Sequence, residues 1–551
     1  MPAAIAYRRA PLLDPAYVPL SDAAVHTAGL QQELTDRALA MVNLNRMTAL
    51  DAILATKLGG YTQTPPMPDV EGAAQLLPAQ GKLFVETVRA ASMIASMNRD
   101  KEGMLRTLAA MRVFLSVLPR MSEKDLFAIG ADVLRVAVDL YRRTGQRFLL
   151  DLLEDLRSRL PDVSGVMHMF PFQTAYQPEK GSHSAQEQEY YDRMDRFATG
   201  KLTADSAAMT ALLSQYSGSG RDAAAAKTGL AALNRYHGMP SGAFASDPYL
   251  AGRDPARAAE LDAVAAQAEA WLDALLAAGD PVMAEQLEKL LVNVLPDLLT
   301  SEGLRTQSPT NRLPEDDSCQ TTAAEPEDVS AVLRALYAVC RAVWLSPDDQ
   351  TIAYMLPVSG GCVTRLSGIP VRLTADVKGV FQQEIAIRVE CREPVSCTLK
   401  IRVPAYADGA QLFLNSEQPQ SVPQGTLAEI RRTFRSGDVI TLKLSLSPRL
   451  ETGYRSSASI YVGARLMALA LPEKDMAWRY AVLRSLPLTS VEENGVPYAL
   501  LTACDAPVWQ QKGGFILPPP QGVPMGDAYE LTLIPFAGTN GRIAAFPCVR
   551  E

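Results

Sequence analysis

The stretch CTLKIRVPAYADGAQLFLNSEQPQSVPQGTLAEIRRTFRSGDVITLKLSL, residues 397–446, alternates apolar and polar side chains in four short runs. They are CTLKIRVPAYA (397–407), AQLFLNS (410–416), AEIRRTF (428–434) and DVITLKLSL (438–446). A period of two sends every second side chain to one face, as in a strand with one side on a core and the other in water. Turn chemistry such as Arg435-Ser436-Gly437-Asp438 separates the runs. This pattern predicts an antiparallel β-sandwich.

Upstream the period changes. GKLFVETVRAASMIASM (81–97) is apolar at 84, 88, 91 and 95, a helical repeat. The segments 104–118, 125–141, 147–160, 206–216, 261–277 and 282–299 behave alike, and residues 25–340 read as helices. Glycine-bearing turns, RRTGQ (142–146), YSGSGR (216–221) and AAGDPV (277–282), end several of them. Short turns between long amphipathic helices imply antiparallel pairs. Enough pairs fit before residue 340 for an α/α barrel, with an α-solenoid as the competitor; the absence of a fixed-period repeat counts against the solenoid. Downstream, 456–551 is β-rich and includes the turn LPPPQGVP (517–524). The expected organisation is a helical barrel over 1–345, a β-sandwich over 346–455 and a second β-rich domain over 456–551. The proline-bearing, acidic stretch 300–330 reads as a long loop.

Composition narrows the function. The chain has 551 residues and a net charge of −8, which gives no global electrostatic reason to bind nucleic acid or an anionic membrane. Seven cysteines, none two residues apart, suit neither a disulfide framework nor a zinc ribbon, and reduced thiols in a cytoplasm are expected. The opening MPAAIAYRRAPLLDPAYVPL has no apolar run before a cleavage-like site, so no signal peptide is expected, and no uninterrupted apolar stretch is long enough for a membrane span.

Several runs together resemble a known family. LKIRVPAYADGAQLFLNSE (399–417), GTLAEIRRTFRSGDVITLKLSLSPRLETGY (425–454), YVGARLMALAL (461–471) and YELTLIPFAGTNGRIAAFP (529–547) resemble the C-terminal part of glycoside hydrolase family 127, the β-L-arabinofuranosidase family. NRYHGMPSGAFASDPYLAGRDPARAAELDA (234–263) resembles that family's active-site stretch. The resemblance implies an (α/α)6 barrel with sandwich domains, and a hydrolase acting on β-linked L-arabinofuranose or a related oligosaccharide. It also implies a zinc-held cysteine nucleophile with a glutamate as general acid/base. Zinc keeps a thiol deprotonated at neutral pH, and the thiolate attacks the anomeric carbon.

The chain departs from that pattern at the site. The family's Glu-x-Cys pair reads Glu260-Leu261-Asp262 here, and its Cys-Cys pair reads Ser318-Cys319. Only Glu260 and Cys319 survive as metal ligands, so no cofactor is expected, with zinc as the exception the resemblance leaves open. The family's acid/base stretch keeps its aspartate as Asp247, whereas its glutamate is Pro248 and its histidine Tyr249. Asp247 and Glu260 are then the candidate catalytic carboxylate pair. His237, Tyr249, Tyr190, Ser318 and Cys319 are candidate substrate contacts.

Plainer readings stand beside each candidate. Asp247 can initiate a turn before Pro248, and Glu260 can be a first-turn carboxylate favoured by the helix dipole. Cys319 can be a buried apolar residue, His237 a structural hydrogen bonder, and 186–192 a solvated helix face. Asp254-Pro255 reads as an N-cap and first helical residue, which starts that helix before Glu260. On it, Asp262, Glu269 and Asp273 lie opposite the apolar stripe of Val264, Ala268, Trp271 and Leu275. Two functions follow: a divergent glycoside hydrolase meeting its sugar in the central hollow, or a catalytically inactive carbohydrate-binding or structural homologue. A carbohydrate is the expected partner, with no nucleic acid and no membrane, and a homo-oligomer is allowed.

Overall fold

The computed structural model describes residues 7–20, 25–41, 47–59, 64–77, 79–312, 325–415, 417–471, 480–482, 489–493, 496–505, 510–512, 515–517, 527–537, 539 and 541–548. Six helices form an inner ring: Ala49–Lys57, Gly81–Asn98, Glu123–Thr144, Gly200–Ser217, Leu261–Ala278 and Pro326–Val343. Each packs on the next, and the last packs back on the first, so the ring closes. Leu30–Ala40, Lys101–Val117, Phe148–Arg159, Gly220–His237 and Pro281–Lys289 lie outside it. This is an (α/α)6 barrel, not a solenoid.

Local chemistry explains the boundaries. Ser122 caps Glu123–Thr144 by accepting from the Asp125 amide, and Ser219 caps Gly220–His237 by accepting from that of Asp222. Leu261–Ala278 ends at Gly279 with φ 74°, where a Cβ would stand 2.9 Å from that of Ala16, so the left-handed turn and the tight approach both select glycine. Alanines at 263, 265, 266, 268, 270 and 274 are buried and let neighbouring helices approach closely. The expected continuous helix over 282–299 is interrupted by a π turn, Leu290–Val294. Within that turn the Asn293 amide donates to Ser241 and Ala464 carbonyls and accepts from the Leu466 N–H, tying the barrel to the C-terminal strands.

Two antiparallel-rich sheets follow the barrel. One is ordered Val18–Pro19, Trp344–Asp348, Thr351–Tyr354, Val395–Arg402, Leu427–Phe434. The other is ordered Gln420–Val422, Gly409–Leu414, Val439–Ser445, Glu384–Cys391, Ile369–Lys378, Gly360–Leu366, Val25–Thr27. All four strands read from alternation are present, within a few residues of their expected ends. Each sheet also takes an edge strand from the N-terminal segment, which sequence reading assigned to the barrel alone.

A third sheet holds Pro448–Thr452, Ala458–Val462, Arg465–Ala470, Ala528–Pro535, Val496–Asp505 and Tyr480–Val482. Its anchor on the barrel is a buried cluster. Arg542 grips Asp297 with two nitrogens at 2.6 and 2.8 Å, and Arg312 and Arg305 also meet that carboxylate. Burial alone would raise the Asp297 carboxyl, but the guanidinium groups of Arg542, Arg312 and Arg305 outweigh it and hold it at about 2. Most of 517–524 lies outside the described residues. No helix among the described residues is long and apolar enough to cross a membrane.

Candidate active site

The inner helices share a direction, because their first turns meet at one end. Gly200 begins one helix pressed against Ser246, where a Cβ would fall 2.0 Å from the Ser246 hydroxyl. Asp328, in the first turn of Pro326–Val343, feels the charge of Asp262 in the first turn of Leu261–Ala278. That end is the mouth of the barrel.

A small backbone ribbon crosses the mouth. The Ser246 N–H donates to the Ala258 carbonyl at 2.9 Å, and Ser246 pairs in parallel with Ala259. Asp247 and Glu260 each follow a bridged residue, and the Asp247 charge bears on the Glu260 carboxyl, so the bridge brings the two acids near each other. On the other flank Ala258–Glu260 pairs with Gln307–Pro309. The helix therefore begins at Leu261, not before Glu260 as expected. Asp254 instead accepts from the Ala256 amide at 2.9 Å and makes a local turn. Glu260 is the extended N-cap residue and its side chain makes no capping bond, so ideal helical phase does not govern its position relative to Asp262.

The two acids differ in company. Asp247 pairs with Arg257, whose Nε lies 3.1 Å from Oδ2 and whose Nη2 donates to the Asp247 carbonyl at 2.8 Å. Glu260 is half-buried, and no described cation pairs with it. Burial raises its carboxyl, and the charges of Asp247 and Asp262 raise it further.

Aromatic rings line one side of the mouth. Tyr249 packs on Tyr176 with centroids 5.8 Å apart, and the Tyr176 hydroxyl donates to Asp195 at 2.6 Å. Tyr190, on Ala185–Phe197, is 58% exposed and close enough to bear on the Tyr176 phenol. Sequence reasoning missed Tyr176 and Arg257. Tyr176 sits in no quoted motif, and Arg257 lies within the quoted stretch 234–263 but was not singled out; the ring contacts and the ion pair with Asp247 bring them to notice.

His237 is a correction. It is fully buried; Nε2 lies 2.6 Å from the Phe172 carbonyl, and Nδ1 accepts from the Gly252 amide at 3.0 Å. With both nitrogens engaged it fastens the loop behind the mouth and does not face a substrate. Ser318 and Cys319 lie outside the described residues.

The expected central hollow is filled at mid-height. Glu269 meets Arg89 at 2.9 Å, Arg135 at 3.3 Å and Arg334 at 2.5 Å. Asp132 joins Arg89 and Arg135, and Asp273 takes Arg135 at 2.7 Å. The polar face opposite the apolar stripe is thus the wall of the lumen. At 1.5 Å per residue this charged layer lies roughly 13 Å below Glu260.

The described donors at the mouth are carboxylates, and no group of three or more histidine, cysteine, aspartate or glutamate side chains with metal-holding geometry occurs among the described residues.

Residues 352–446 match the family described as "Beta-L-arabinofuranosidase, GH127 middle domain". Solved structures share the whole architecture. A "Glycoside hydrolase" superposes with a TM-score of 0.70 at 13% identity, covering 97% of this chain and 98% of its own. A GH127 beta-L-arabinofuranosidase from Geobacillus stearothermophilus T6 gives 0.62 at 14% identity, covering 95% and 91%. The fold is that of glycoside hydrolase family 127. A GH127 beta-arabinofuranosidase gives 0.59 at 12% identity, covering 97% and 98%. No curated protein matches the chain in sequence. At these identities the likeness to family 127 structures establishes the fold, and the chemistry rests on the residues at the mouth.

Proposed function

We propose that this chain is a divergent glycoside hydrolase acting on β-L-arabinofuranosides or related oligosaccharides, with the Asp247–Glu260 pair in place of a zinc-bound thiolate. The observation that supports this reading is the bridge that brings the two acids near each other, one ion-paired and one with its carboxyl raised above the ordinary value. Glu260 gives its proton to the glycosidic oxygen as the bond breaks. Asp247, its neighbour across the bridge, attacks the anomeric carbon, as the nucleophile of a retaining enzyme does. Tyr249, Tyr176 and Tyr190 offer ring faces to the sugar.

The test is a panel of aryl and alkyl glycosides, with product anomers read by NMR. Glu260→Gln is expected to lower kcat/KM on alkyl glycosides by about 10²–10⁴-fold. It should spare substrates whose leaving group needs no proton, whereas Asp247→Asn should lose both classes. Failure to cleave any glycoside defeats the hydrolase reading. If arabinose or related sugars still raise the melting temperature, the chain is a carbohydrate-binding homologue; the ion pair already occupying Asp247 is the observation favouring that second reading.

A further inference from the structure

We propose that the junction between the barrel and the third sheet binds a small oxyanion, the carboxylate or phosphate group of a compact molecule. A cavity of about 90 Å³ lies there, well above the roughly 10–15 Å³ that admits one water. Its barrel wall is the end of Gly220–His237, the loop that follows it, and Gln286 and Lys289 on one face of Pro281–Lys289. Its sheet wall is the hairpin of Pro448–Thr452 and Ala458–Val462. There Glu451 stands opposite Ser459 and Arg449 opposite Tyr461, so these side chains share the face turned to the barrel. Both walls are held in place. The Tyr461 hydroxyl donates to the Pro240 carbonyl at 2.8 Å, and Asn293 bonds Ser241 on one side and Ala464 and Leu466 on the other. Ligand sites favour such boundaries between domains.

The charges that face this cavity do not balance. Arg253, which is exposed, and Lys289, which is half-buried, line it together with Glu451. The Glu451 carboxylate is taken by Arg449, whose Nε lies 3.2 Å away. Glu285 and Glu288, the acids beside Lys289 on its helix, turn to Arg402. Asp254, next to Arg253, accepts from the Ala256 amide. Neither Arg253 nor Lys289 pairs with a carboxylate among the described residues. Arg253 makes one long bond, 3.4 Å from Nε to the Gly238 carbonyl, and the Lys289 ammonium lies 5.5 Å from the Tyr461 ring centroid. Arg253 spans the junction, for its Nη2 lies 3.9 Å from where a Cβ would stand on Gly453. Neutral groups in the wall are idle as well. Ser459 is 2% exposed and its Oγ has no hydrogen-bond partner, and the buried Gln286 side chain makes no hydrogen bond among the described residues. Unmet buried donors are costly, and an oxyanion would engage them and both cations at once. The wall includes neither Asp247 nor Glu260, so this site does not depend on the hydrolase reading.

Isothermal titration and thermal unfolding of the full chain with inorganic phosphate, malonate and arabinose, each at matched ionic strength in chloride, test the proposal. Saturable one-to-one binding of phosphate or malonate is expected, and the tighter of the two names the group. Lys289→Met keeps the stem and removes the charge, and should weaken that binding about tenfold or more. Arg253→Gln, at an exposed position, should do the same and covers the case in which Lys289→Met does not fold. Arg388→Gln removes an exposed arginine from the strand Glu384–Cys391 and should bind as the wild type does. Absence of saturable binding by both anions, undiminished binding by Arg253→Gln or by a folded Lys289→Met, an equal loss in Arg388→Gln, or binding of arabinose in place of the anions would overturn the proposal.

Discussion

Glu260 and Glu269 belong to the same helix, nine residues apart, yet their surroundings drive them in opposite directions. Burial opposes the charge of both. At Glu269 the guanidinium groups of Arg334, Arg135 and Arg89 outweigh burial and hold the carboxyl well below its usual range. At Glu260 the neighbouring charges are Asp247 and Asp262, so the electrostatics reinforce burial and the carboxyl rises. One is a counter-ion that closes the lumen; the other holds its proton more tightly than a free glutamate does. The comparison shows how a single inner helix serves both structure and chemistry: partners supplied by the ring decide which acid is inert.

Breaking the Glu269 side should have the largest effect. Glu269→Gln removes the shared counter-ion of three guanidinium groups, and breaking a buried ion pair costs about 3–5 kcal/mol. Urea unfolding followed by far-ultraviolet circular dichroism measures it; a loss below about 1 kcal/mol would place the network among screened surface pairs instead. The pH dependence has a defined sign. A carboxyl depressed in the folded state contributes stability that is present above its unfolded pKa and is lost as pH falls through the lower folded value. The wild-type advantage over Glu269→Gln should therefore persist at neutral pH and shrink only in strong acid.

The Asp297 cluster offers a parallel break at a domain boundary. Asp297→Asn leaves Arg542, Arg312 and Arg305 facing a neutral amide, and a cost of about 3 kcal/mol or more is expected. Limited proteolysis should show the C-terminal strands released before the barrel. Simultaneous loss of both would show that the cluster is not the anchor. A much smaller change is expected at the rim, where Arg257→Gln removes a pair exposed by about a third on each side. Its effect on stability should stay within about 1 kcal/mol. Any change in kcat/KM beyond that would sharpen the case that Arg257 positions Asp247.

The sequence discloses these regions unequally. Periodicity exposes most of the helices and the four strands at 397–446, because each is set by local alternation of apolar and polar residues. Alternation cannot show which polar face meets water, so Glu269 and Asp273 read as ordinary polar positions until the ring closes around them. The start of Leu261–Ala278 is misread for a related reason: Asp254-Pro255 carries a cap signature, but pairing with Gln307–Pro309 holds 258–260 extended. Asp247 and Glu260 come from the family resemblance and the usual need for two acids. Their proximity comes from a single parallel bridge, Ser246 to Ala259, between residues with no local signal for pairing. His237 fails because a histidine in a turn-like sequence gives no hint that two backbone groups claim its ring.

The smallest expected effect is also the one with the opposite sign. A carboxyl raised in the folded state gives stability that is present below its unfolded pKa and lost as pH rises through the folded value. At neutral pH the Glu260 charge is therefore a cost, set by burial and by its neighbours Asp247 and Asp262. Glu260→Gln should remove that cost and raise the melting temperature slightly, by no more than about 1–2 °C because the half-exposed site is screened by solvent. The gain should shrink as pH falls and wild-type Glu260 takes up its proton. Paired melting curves at neutral and acidic pH measure the difference. A variant that is less stable at neutral pH would mean that Glu260 is a structural acid like Glu269, and the distinction between the two ends of the helix would collapse.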